Sequence, residues 1–599
     1  MTTENNNRQV PRSGIYLFEE TGTDRIFTPE DFSESTRKMA ETAQKFTDTE
    51  VIPVERELET LPEGKMRALM GRAANCGFFM TDIPEEYGGL DLLKVDSMVL
   101  AEKLAGNADF SVTFGAHVGI GTLPIVYYGT DAQKEKYLPK SASGEWLGAY
   151  ALSEPGSGSD ALGARTTAVL NAEGTHYIFN GTKQWISNAA WADFFIVFAK
   201  VNGELFTAFI VDKDTPGFTT GHEEKKMGLK GSSTRPLIFD NAPVPIENVL
   251  GQVGAGHKIA FNILNVGRFK LGCGTTGGAK RVLRDALGYA ADRKQFNTPI
   301  IQFGALRQKV ANMATKIYAM ESICYRIAGY MDDSEALLDR KSGDFMDKRL
   351  AIIEEYAIED SISKVYCSES LGYVVDECLQ MYGGYGFVAD YPVEKAYRDV
   401  RVNRIFEGTN EINRIIIAST ILKKAMKNEL PLMQGAMAVF QKSAQPQILP
   451  EKNDNDPLLQ QRFVTSRLKD VTILMFGLAG QRYGKDIKDQ QEVMLALSDM
   501  ATACYVSDSM VMRTQQNVAH RGASAMQVQV AATRLAVAYA AEEVLTLARR
   551  LACSVSEQPE TTWKQIENLL PPLTTDTIAE GRIVADSVIR DGLYNLSRY

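Results

Sequence analysis

The residue with the clearest chemical potential is Glu407, in the string RIFEGTNEINR (404–414). Its carboxylate follows Ile405 and Phe406 and precedes Gly408. A carboxyl group in apolar surroundings has a raised pKa, because burial disfavours its charged form, and a raised pKa suits a general base. Thr409 and the residue after it could cap the next helix. Capping would not explain the position of Glu407, so the string predicts a catalytic base.

Two earlier strings could hold an aromatic ligand. The first, ALSEPGSGSD (151–160), carries Gly156 and Gly158 in a loop whose backbone can approach a ligand closely. The second, KQWISN (183–188), places Trp185 on a strand, where an indole can stack on a ring. An ordinary polar turn and a core tryptophan are the alternatives, and both stay open.

Two later strings could hold phosphate groups. In DRKQF (292–296), Arg293 is a candidate partner because a guanidinium matches phosphate geometry. In QMYGGYGF (380–387), Gly383 and Gly384 interrupt a helix and expose backbone groups. The alternatives are a solvated charge at a helix end and a simple helix-ending turn.

The elements that must position these strings change in character along the chain. Apolar residues recur at helical spacing first, then come short strands rich in aromatic and β-branched residues, broken at Asn180-Gly181, Asn202-Gly203 and Pro216-Gly217. Helical spacing then returns. We therefore predict an α+β multidomain protein with these parts: a polar tail (1–30), an N-terminal helical domain (31–148), a middle antiparallel β domain (149–256), a helical bundle domain (257–429), a linker (430–457) and an additional C-terminal helical domain (458–599).

Other enzyme classes lack their motifs. GCGTTG (272–277) fits a dinucleotide fingerprint but lies inside a helical run, where small residues usually permit close helix packing. The chain has no G-x-x-x-x-G-K, no H-E-x-x-H and no G-x-S-x-G string. We therefore expect no P-loop ATPase, no metal site and no serine hydrolase.

Composition indicates a globular protein in a reducing compartment. The net charge of −10 and the lack of a Lys/Arg run argue against nucleic-acid binding. Seven scattered cysteines without a C-x-x-C predict free thiols. The start of the chain is polar, and the longest apolar stretch, taken as Val471 to Gly480, is too short to span a bilayer. We expect a cytoplasmic protein.

Together, in this order and at these separations, the five strings resemble the acyl-CoA dehydrogenase family from about Asp31 to Lys427. The very-long-chain type is the most similar branch, because of GAHVGIG (115–121), NVGRF (265–269) and the C-terminal extension. The resemblance implies an FAD-dependent oxidoreductase of fatty acid β-oxidation and lipid metabolism. It would desaturate a long-chain acyl-CoA to a trans-2-enoyl-CoA and pass electrons to an electron-transfer flavoprotein.

The resemblance also assigns roles to residues. It implies that Glu407 is the base and that Ser159, Arg268, Phe406 and Gly408 contact the substrate. Some branches carry the base on the helix with GRF, but the matching residue here is Gly267, which has no carboxylate. Ser153 stands where many relatives have threonine. The implied FAD contacts are Tyr150, Leu152, Ser153, Gly158, Ser159, Trp185, Ile186, Ser187, Arg293, Phe296, Gln380, Gly383, Gly384, Thr409, Asn410 and Glu411.

The assembly and the substrate follow from the same resemblance. In the family, the groups matching Arg293 and Gln380 to Gly384 act from the neighbouring subunit, which implies a homodimer. Gly115 and Ala116 lie where the acyl channel ends; a deep channel and plain helix packing are equally favoured. Membrane contact by LPLMQGAMAVF (430–440) is less favoured than buried packing, because no basic cluster accompanies it. The alternatives are an assembly scaffold of the same fold, an acyl-CoA oxidase, and a dehydrogenase of a short or unusual acyl-CoA.

Overall fold

The computed structural model describes residues 10–22 and 24–597, and its first domain is a cluster of helices. Three of these helices begin at side-chain caps: Ser33 accepts from the Thr36 N–H, Asn107 accepts from the Phe110 N–H, and Thr130 forms a capping box with Gln133. The helices are α1 (Glu34–Phe46), α2 (Glu55–Leu58), α3 (Lys65–Asn75), α4 (Lys94–Lys103), α5 (Ala108–Gly115), α6 (Leu123–Tyr128) and α7 (Asp131–Ser143).

The middle domain is one eight-stranded sheet. Its strands are β1 (Gly148–Ala151), β2 (Thr167–Leu170), β3 (His176–Ser187), β4 (Phe194–Val201), β5 (Leu205–Asp212), β6 (Phe218–Thr220), β7 (Thr234–Pro245) and β8 (Val249–Leu250). Most neighbours are antiparallel, as expected, but β1 and β2 both pair with β4 in parallel. Both faces of β4 are buried: Ile196 packs towards the helices and Val197 into the sheet's other core.

The predicted turns have two outcomes. Asn202-Gly203 joins β4 to β5 with both residues at positive φ, +52° and +79°, so that prediction is confirmed. Asn180-Gly181 was wrong as a turn, because the pair lies inside β3 at a break in its register with β7. Gly181 has φ +148°, and a Cβ there would meet Thr166 at 2.6 Å. The glycine therefore serves a close approach between strands.

The helical bundle follows, with a two-stranded hairpin after its first helix. Its elements are α8 (Gly256–Asp292), β9 (Lys294–Gln295), β10 (Thr298–Pro299), α9 (Gly304–Glu335), α10 (Phe345–Glu355), α11 (Ala357–Tyr382), α12 (Pro392–Val400) and α13 (Asn410–Met426). The GCGTTG string lies within α8, and a Cβ at Gly277 would overlap the carbonyl of Glu102. These glycines therefore permit close packing and form no nucleotide loop.

The remaining residues, 430–597, form what we call the C-terminal extension. Its helices are α14 (Leu432–Lys442), α15 (Leu459–Tyr483), α16 (Gln491–Arg521), α17 (Gln527–Val555), α18 (Pro559–Leu569) and α19 (Thr577–Asp591). The expected linker, 430–457, thus contains α14, whose Leu432 and Val439 are buried. One hydrophobic core runs through the bundle and the extension, so the two form one packed body.

The expected polar tail also differs from the structure within its described part. Tyr16, Leu17 and Ile26 are buried, and the Tyr16 hydroxyl donates to the Ala501 carbonyl at 3.0 Å. Glu30 pairs with the buried Arg513 of α16 at 2.7 Å. The described residues 10–22 and 24–30 therefore pack against the extension.

Two apolar segments need correction. Residues 471–480 were expected to be the longest apolar stretch, too short to span a bilayer, but within the described residues Ala108–Tyr128 is longer and passes the test of length and composition for a membrane span. Of its most apolar window, 78% is buried inside the protein, as in the core helix of a folded domain. Buried packing of α14 holds for only part of that helix. Met433, Met437 and Phe440, three to four residues apart, are all exposed on it.

Candidate active site

Glu407 lies on the short connection between α12 and α13, in a conformation that glutamate rarely adopts. Its φ is +55°, in the left-handed region. Such backbone strain costs about 1–3 kcal/mol and is concentrated at functional sites. Trp185 and Phe296, two further candidate residues, also have positive φ, +59° and +52°. Three of the residues that the sequence predicts to be functional therefore have a strained backbone.

The carbonyl groups of this connection are held by three side chains from other positions. Arg268 Nε on α8 donates to the Glu407 carbonyl at 3.1 Å. Lys364 Nζ on α11 donates to the Gly408 carbonyl at 2.7 Å, and Asn413 Nδ2 donates to the same oxygen at 2.8 Å. The backbone that carries the carboxylate is therefore fixed from three directions.

The Glu407 carboxylate is buried, although part of the residue reaches the surface. Its Oε2 atom is inaccessible to solvent and has no hydrogen-bond partner among the described residues. Burial raises the pKa of Glu407 to about 7, and the positive charges of Arg268 and Lys364 limit the rise. A carboxylate with this pKa exchanges protons readily near neutral pH, as a general base must.

Gly267 leaves space for this carboxylate. A Cβ at Gly267 would lie 2.7 Å from Glu407 Oε2 and 2.9 Å from its Cδ. The position from which some relatives supply a base thus faces Glu407 directly. The chain has glycine at 267 and glutamate at 407. A side chain at 267 would overlap the Glu407 carboxylate, so the space between the two positions holds only one carboxylate.

Tyr150 brings the β domain close to the base. Its hydroxyl donates to the Ala260 carbonyl of α8 at 3.4 Å. Burial raises the Tyr150 pKa well above its usual range, and the negative charge of Glu407 adds to the rise. The end of β1 therefore lies within electrostatic range of Glu407.

The other β-domain candidates form one surface beside this strand. The Gln184 N–H donates to the Ser153 carbonyl at 2.9 Å, and Lys183 Nζ donates to the Leu152 carbonyl at 3.2 Å. These bonds attach the ALSEPGSGSD loop to the strand that carries Trp185, whose side chain is 60% exposed. Gly158 and Ser159 are also exposed, and Ser187 is half-buried at the end of β3.

Leu152 and Ile186 are the buried candidates here. Leu152 packs in the core that the sheet shares with the helices, and Ile186, only 2% exposed, packs in the sheet's other core. The Ile186 side chain therefore cannot contact a ligand on that surface, and only its backbone remains available.

Arg293, Gly383 and Gly384 line a cleft of about 580 Å³ on the helical bundle. Arg293 lies over the Tyr385 ring at 5.2 Å, and a Cβ at Gly383 or Gly384 would meet no atom within 4 Å. Gln380 is exposed on the last turn of α11. Phe296, 91% exposed, lies in the hairpin after α8. An open glycine backbone beside a guanidinium suits an anionic ligand.

The residues after Glu407 differ in their surroundings. The Thr409 hydroxyl accepts from the Ile412 N–H and caps α13, as the alternative interpretation proposed. The Asn410 side chain is buried and bonds to Lys364, Ser368 and Glu369. Glu411 is exposed, and Phe406 and Gly408 are half-buried beside Glu407.

Sequence reasoning missed Lys364 and Asn413. Lys364 is fully buried, and burial lowers its pKa to about 7. Its only sequence signal is a lone lysine in a largely apolar helical stretch, SISKVYC. Asn413 carries no such signal, since its three acceptors are backbone carbonyls.

The candidates form three groups: a base with a raised pKa, an exposed indole on the β domain and a cleft with a guanidinium. The indole suits an aromatic ring and the guanidinium suits phosphate groups. The cleft lies on the helical bundle, and its lining includes neither Glu407 nor Trp185. Among the described residues, no cluster of His, Cys, Asp and Glu is arranged to hold a metal ion.

Comparison with protein-family models finds four acyl-CoA dehydrogenase domain matches along the chain. The acyl-CoA dehydrogenase N-terminal domain matches residues 33–145, and the middle domain matches 149–242. Two acyl-CoA dehydrogenase C-terminal domains match 254–422 and 467–563. The second of these lies in the C-terminal extension.

Known proteins agree with the family models. The chain is 47% identical to a probable acyl-CoA dehydrogenase of Bacillus subtilis over 92% of both chains. It is 42% identical to the rat very long-chain specific acyl-CoA dehydrogenase over 60% of this chain and 53% of that one. The crystal structure of a Bacillus anthracis acyl-CoA dehydrogenase complexed with FAD superposes with a TM-score of 0.94 at 44% identity, covering 98% of this chain and 100% of that one. The chain therefore belongs to the acyl-CoA dehydrogenase family, whose members are oxidoreductases acting on CH–CH groups.

Proposed function

We propose that this protein is an FAD-dependent dehydrogenase that converts a long-chain acyl-CoA to its trans-2-enoyl-CoA. The observation that carries the proposal is the buried Glu407 carboxylate, with a pKa of about 7 and an Oε2 atom that bonds to no described residue. Such a group can accept a carbon-bound proton once a thioester has acidified it.

The candidate cofactor residues fit FAD. An exposed indole at positive φ suits stacking on a flavin ring, and Arg293 beside open glycines suits a diphosphate. The similar Bacillus anthracis enzyme was crystallised with FAD. When bound, FAD supplies the acceptor for the hydride that leaves the β-carbon.

The protein's own groups perform the proton chemistry. In the proposed reaction, Glu407 takes the α-proton, and its backbone N–H, which makes no hydrogen bond within the described chain, donates to the thioester carbonyl. That bond strengthens as negative charge develops on the carbonyl oxygen. Arg268 and Lys364 hold the connection in place and keep the Glu407 pKa from rising further.

A long acyl chain is supported by the region around Gly115. A Cβ there would meet no neighbouring atom within 4 Å outside its own stretch of helix, so there is room for a substrate chain beside it. Relatives named very long-chain specific are consistent with this substrate. We expect Gly115→Leu to lower the rate with palmitoyl-CoA more than the rate with octanoyl-CoA.

The proposal includes a homodimer in the cytoplasm that passes electrons to an electron-transfer flavoprotein. The two groups of cofactor residues lie on different domains, and the exposed Phe296 beside the second group gains from burial against a partner subunit. Light scattering coupled to gel filtration tests the dimer, and a mass of one chain would contradict it.

The decisive assay is anaerobic titration of the FAD-loaded protein with palmitoyl-, octanoyl- and butyryl-CoA. We expect bleaching of the flavin band and a product lighter by two hydrogens, with the greatest efficiency for palmitoyl-CoA. Selective reduction by butyryl-CoA would overturn the long-chain assignment. A flavin that none of the three reduces would favour a scaffold or an unusual thioester. Rapid reoxidation by oxygen alone would indicate an oxidase.

A further inference from the structure

A continuous set of polar contacts connects the C-terminal extension to the backbone beside Glu407. The last contacts in this set hold the Glu407 connection directly: Lys364 Nζ donates to the Gly408 carbonyl and to Asn410 Oδ1, both at 2.7 Å. Asn410 is the first residue of α13 and is buried. Its side chain therefore helps to fix Lys364 where the Gly408 carbonyl needs it.

Asn410 is held in turn by a glutamate on α11. Its Nδ2 donates to Glu369 Oε1 at 2.9 Å. The same carboxylate accepts two bonds from Arg414, at 2.8 Å to Oε1 and 2.9 Å to Oε2. This paired geometry fixes both the position and the plane of the carboxylate.

Arg414 ends the set in the extension. Its Nε donates to Asp499 Oδ1 of α16 at 2.6 Å, and the Ser498 hydroxyl donates to the Arg414 carbonyl. Arg414 lies one turn after the start of α13, so the extension holds the end of the helix that directly follows the Glu407 connection.

The seam between the bundle and the extension is not closely packed here. A cavity of about 300 Å³ lies between α9, α11, α13, α16 and α17, with Arg414, Glu369 and Asp499 in its wall. Glu543 of α17 lines the same cavity; among the described residues it makes no ion pair within 4 Å, and it interacts with Asp499 and Arg414 only through longer-range charge. Within the described chain, two polar connections cross the cavity: the ion pairs of Arg414, and a hydrogen bond from the Tyr539 hydroxyl of α17 to Asn312 Oδ1 of α9 at 3.4 Å. Only the first leads to the Glu407 connection.

We propose that Asp499 and Arg414 are positioning residues through which the C-terminal extension fixes the Glu407 connection for proton abstraction. The proposal rests on the dehydrogenase function for its catalytic consequence. Neither residue touches the base; they act through Glu369, Asn410 and Lys364. The extension would thus contribute to the reaction as well as to the shared core.

The test compares Asp499→Asn with the matched control Glu543→Gln, which changes a carboxylate on the same cavity wall. Hydrogen–deuterium exchange of the peptide covering 405–413 reports on the connection without any substrate. We expect roughly tenfold faster exchange in Asp499→Asn, because a restraint on local opening is lost, and no change in Glu543→Gln.

The catalytic arm uses anaerobic flavin reduction by palmitoyl-CoA across pH. We expect Asp499→Asn to lower the rate constant by roughly tenfold with little change in substrate binding, since small misplacements of catalytic groups have large effects. The apparent pKa of the profile should rise, because Arg268 and Lys364 are the charged groups that lower the Glu407 pKa and Lys364 is no longer held. Asp499→Glu should restore part of the rate.

Unchanged exchange and rate in Asp499→Asn would overturn the proposal, as would an equal loss in Glu543→Gln. If Asp499→Asn fails to fold, Arg414→Lys replaces it, because lysine keeps the charge but cannot bond Glu369 and Asp499 together. If no acyl-CoA reduces the wild-type flavin, the dehydrogenase proposal fails, and the exchange data alone decide whether the extension positions the connection.

Discussion

Replacing Glu407 with glutamine should stabilise the folded protein, and the gain should grow with pH. The reason is the buried carboxylate, whose pKa is raised from 4.5 to about 7, chiefly by burial. Folding therefore favours the protonated form. The wild type has its full stability below about pH 4.5 and loses stability as the pH rises towards 7. Glutamine has nearly the same shape and remains neutral throughout.

The size of the effect follows from the two pKa values. Ionisation of Glu407 is less favourable in the folded protein than in the unfolded chain by about 3 kcal/mol, at about 1.4 kcal/mol per pKa unit. The stability difference between Glu407→Gln and wild type should therefore be about 1 kcal/mol at pH 5 and about 3 kcal/mol at pH 8.

Urea unfolding of both proteins at pH 5 and pH 8 measures this difference. The midpoints are converted to free energies with one slope of unfolding free energy against urea concentration for both proteins. Glu63→Gln is the control, because Glu63 is exposed and makes no ion pair among the described residues. Its substitution should change the midpoint by the same small amount at both pH values. The measurement needs neither substrate nor turnover.

Two results would refute the reasoning. A Glu407→Gln protein that is no more stable than wild type at pH 8 would mean that the carboxylate is solvated or paired. A gain of equal size at pH 5 and pH 8 would mean that the stabilisation has a cause other than ionisation.

Three further substitutions test the site. Gly267→Ala would place a methyl group 2.7 Å from Glu407 Oε2, so the carboxylate must move. We expect flavin reduction to slow by about 100-fold with little change in melting temperature, and a wild-type rate would contradict this. Lys364→Met removes a charge that lowers the Glu407 pKa, so the pH profile of reduction should move to higher pH; a shift to lower pH would contradict the assignment. Arg293→Ala should weaken FAD binding about ten- to hundredfold, as expected for a lost charge-assisted hydrogen bond. Flavin fluorescence after dialysis measures the FAD that is retained, and retention equal to that of the wild type would contradict the role of Arg293.

The residues around Glu407 could be predicted because their signals are local. Two apolar neighbours before the carboxylate and a glycine after it indicate a buried turn, and the structure has the raised pKa that this pattern predicts. The Asn202-Gly203 hairpin is local in the same sense, since both residues take the positive φ that such a turn requires.

Features that depend on distant pairing could not be predicted. Asn180-Gly181 has the same letters as the true hairpin turn, but pairing of β3 with β7 places it inside a strand. Lys364 bonds to a carbonyl 44 residues away, and residues 10–30 contact the extension across more than 480 positions. Nothing in the local sequence of these segments indicates their partners.

The central claim is that Glu407 removes the α-proton of an acyl-CoA. It is tested most directly by anaerobic stopped-flow absorbance of FAD-loaded wild-type and Glu407→Gln protein mixed with palmitoyl-CoA. We expect the flavin band of the wild type to bleach after mixing. The variant should bind palmitoyl-CoA while its flavin remains oxidised. Bleaching of the variant at the wild-type rate would show that another group takes the proton and would contradict the assignment.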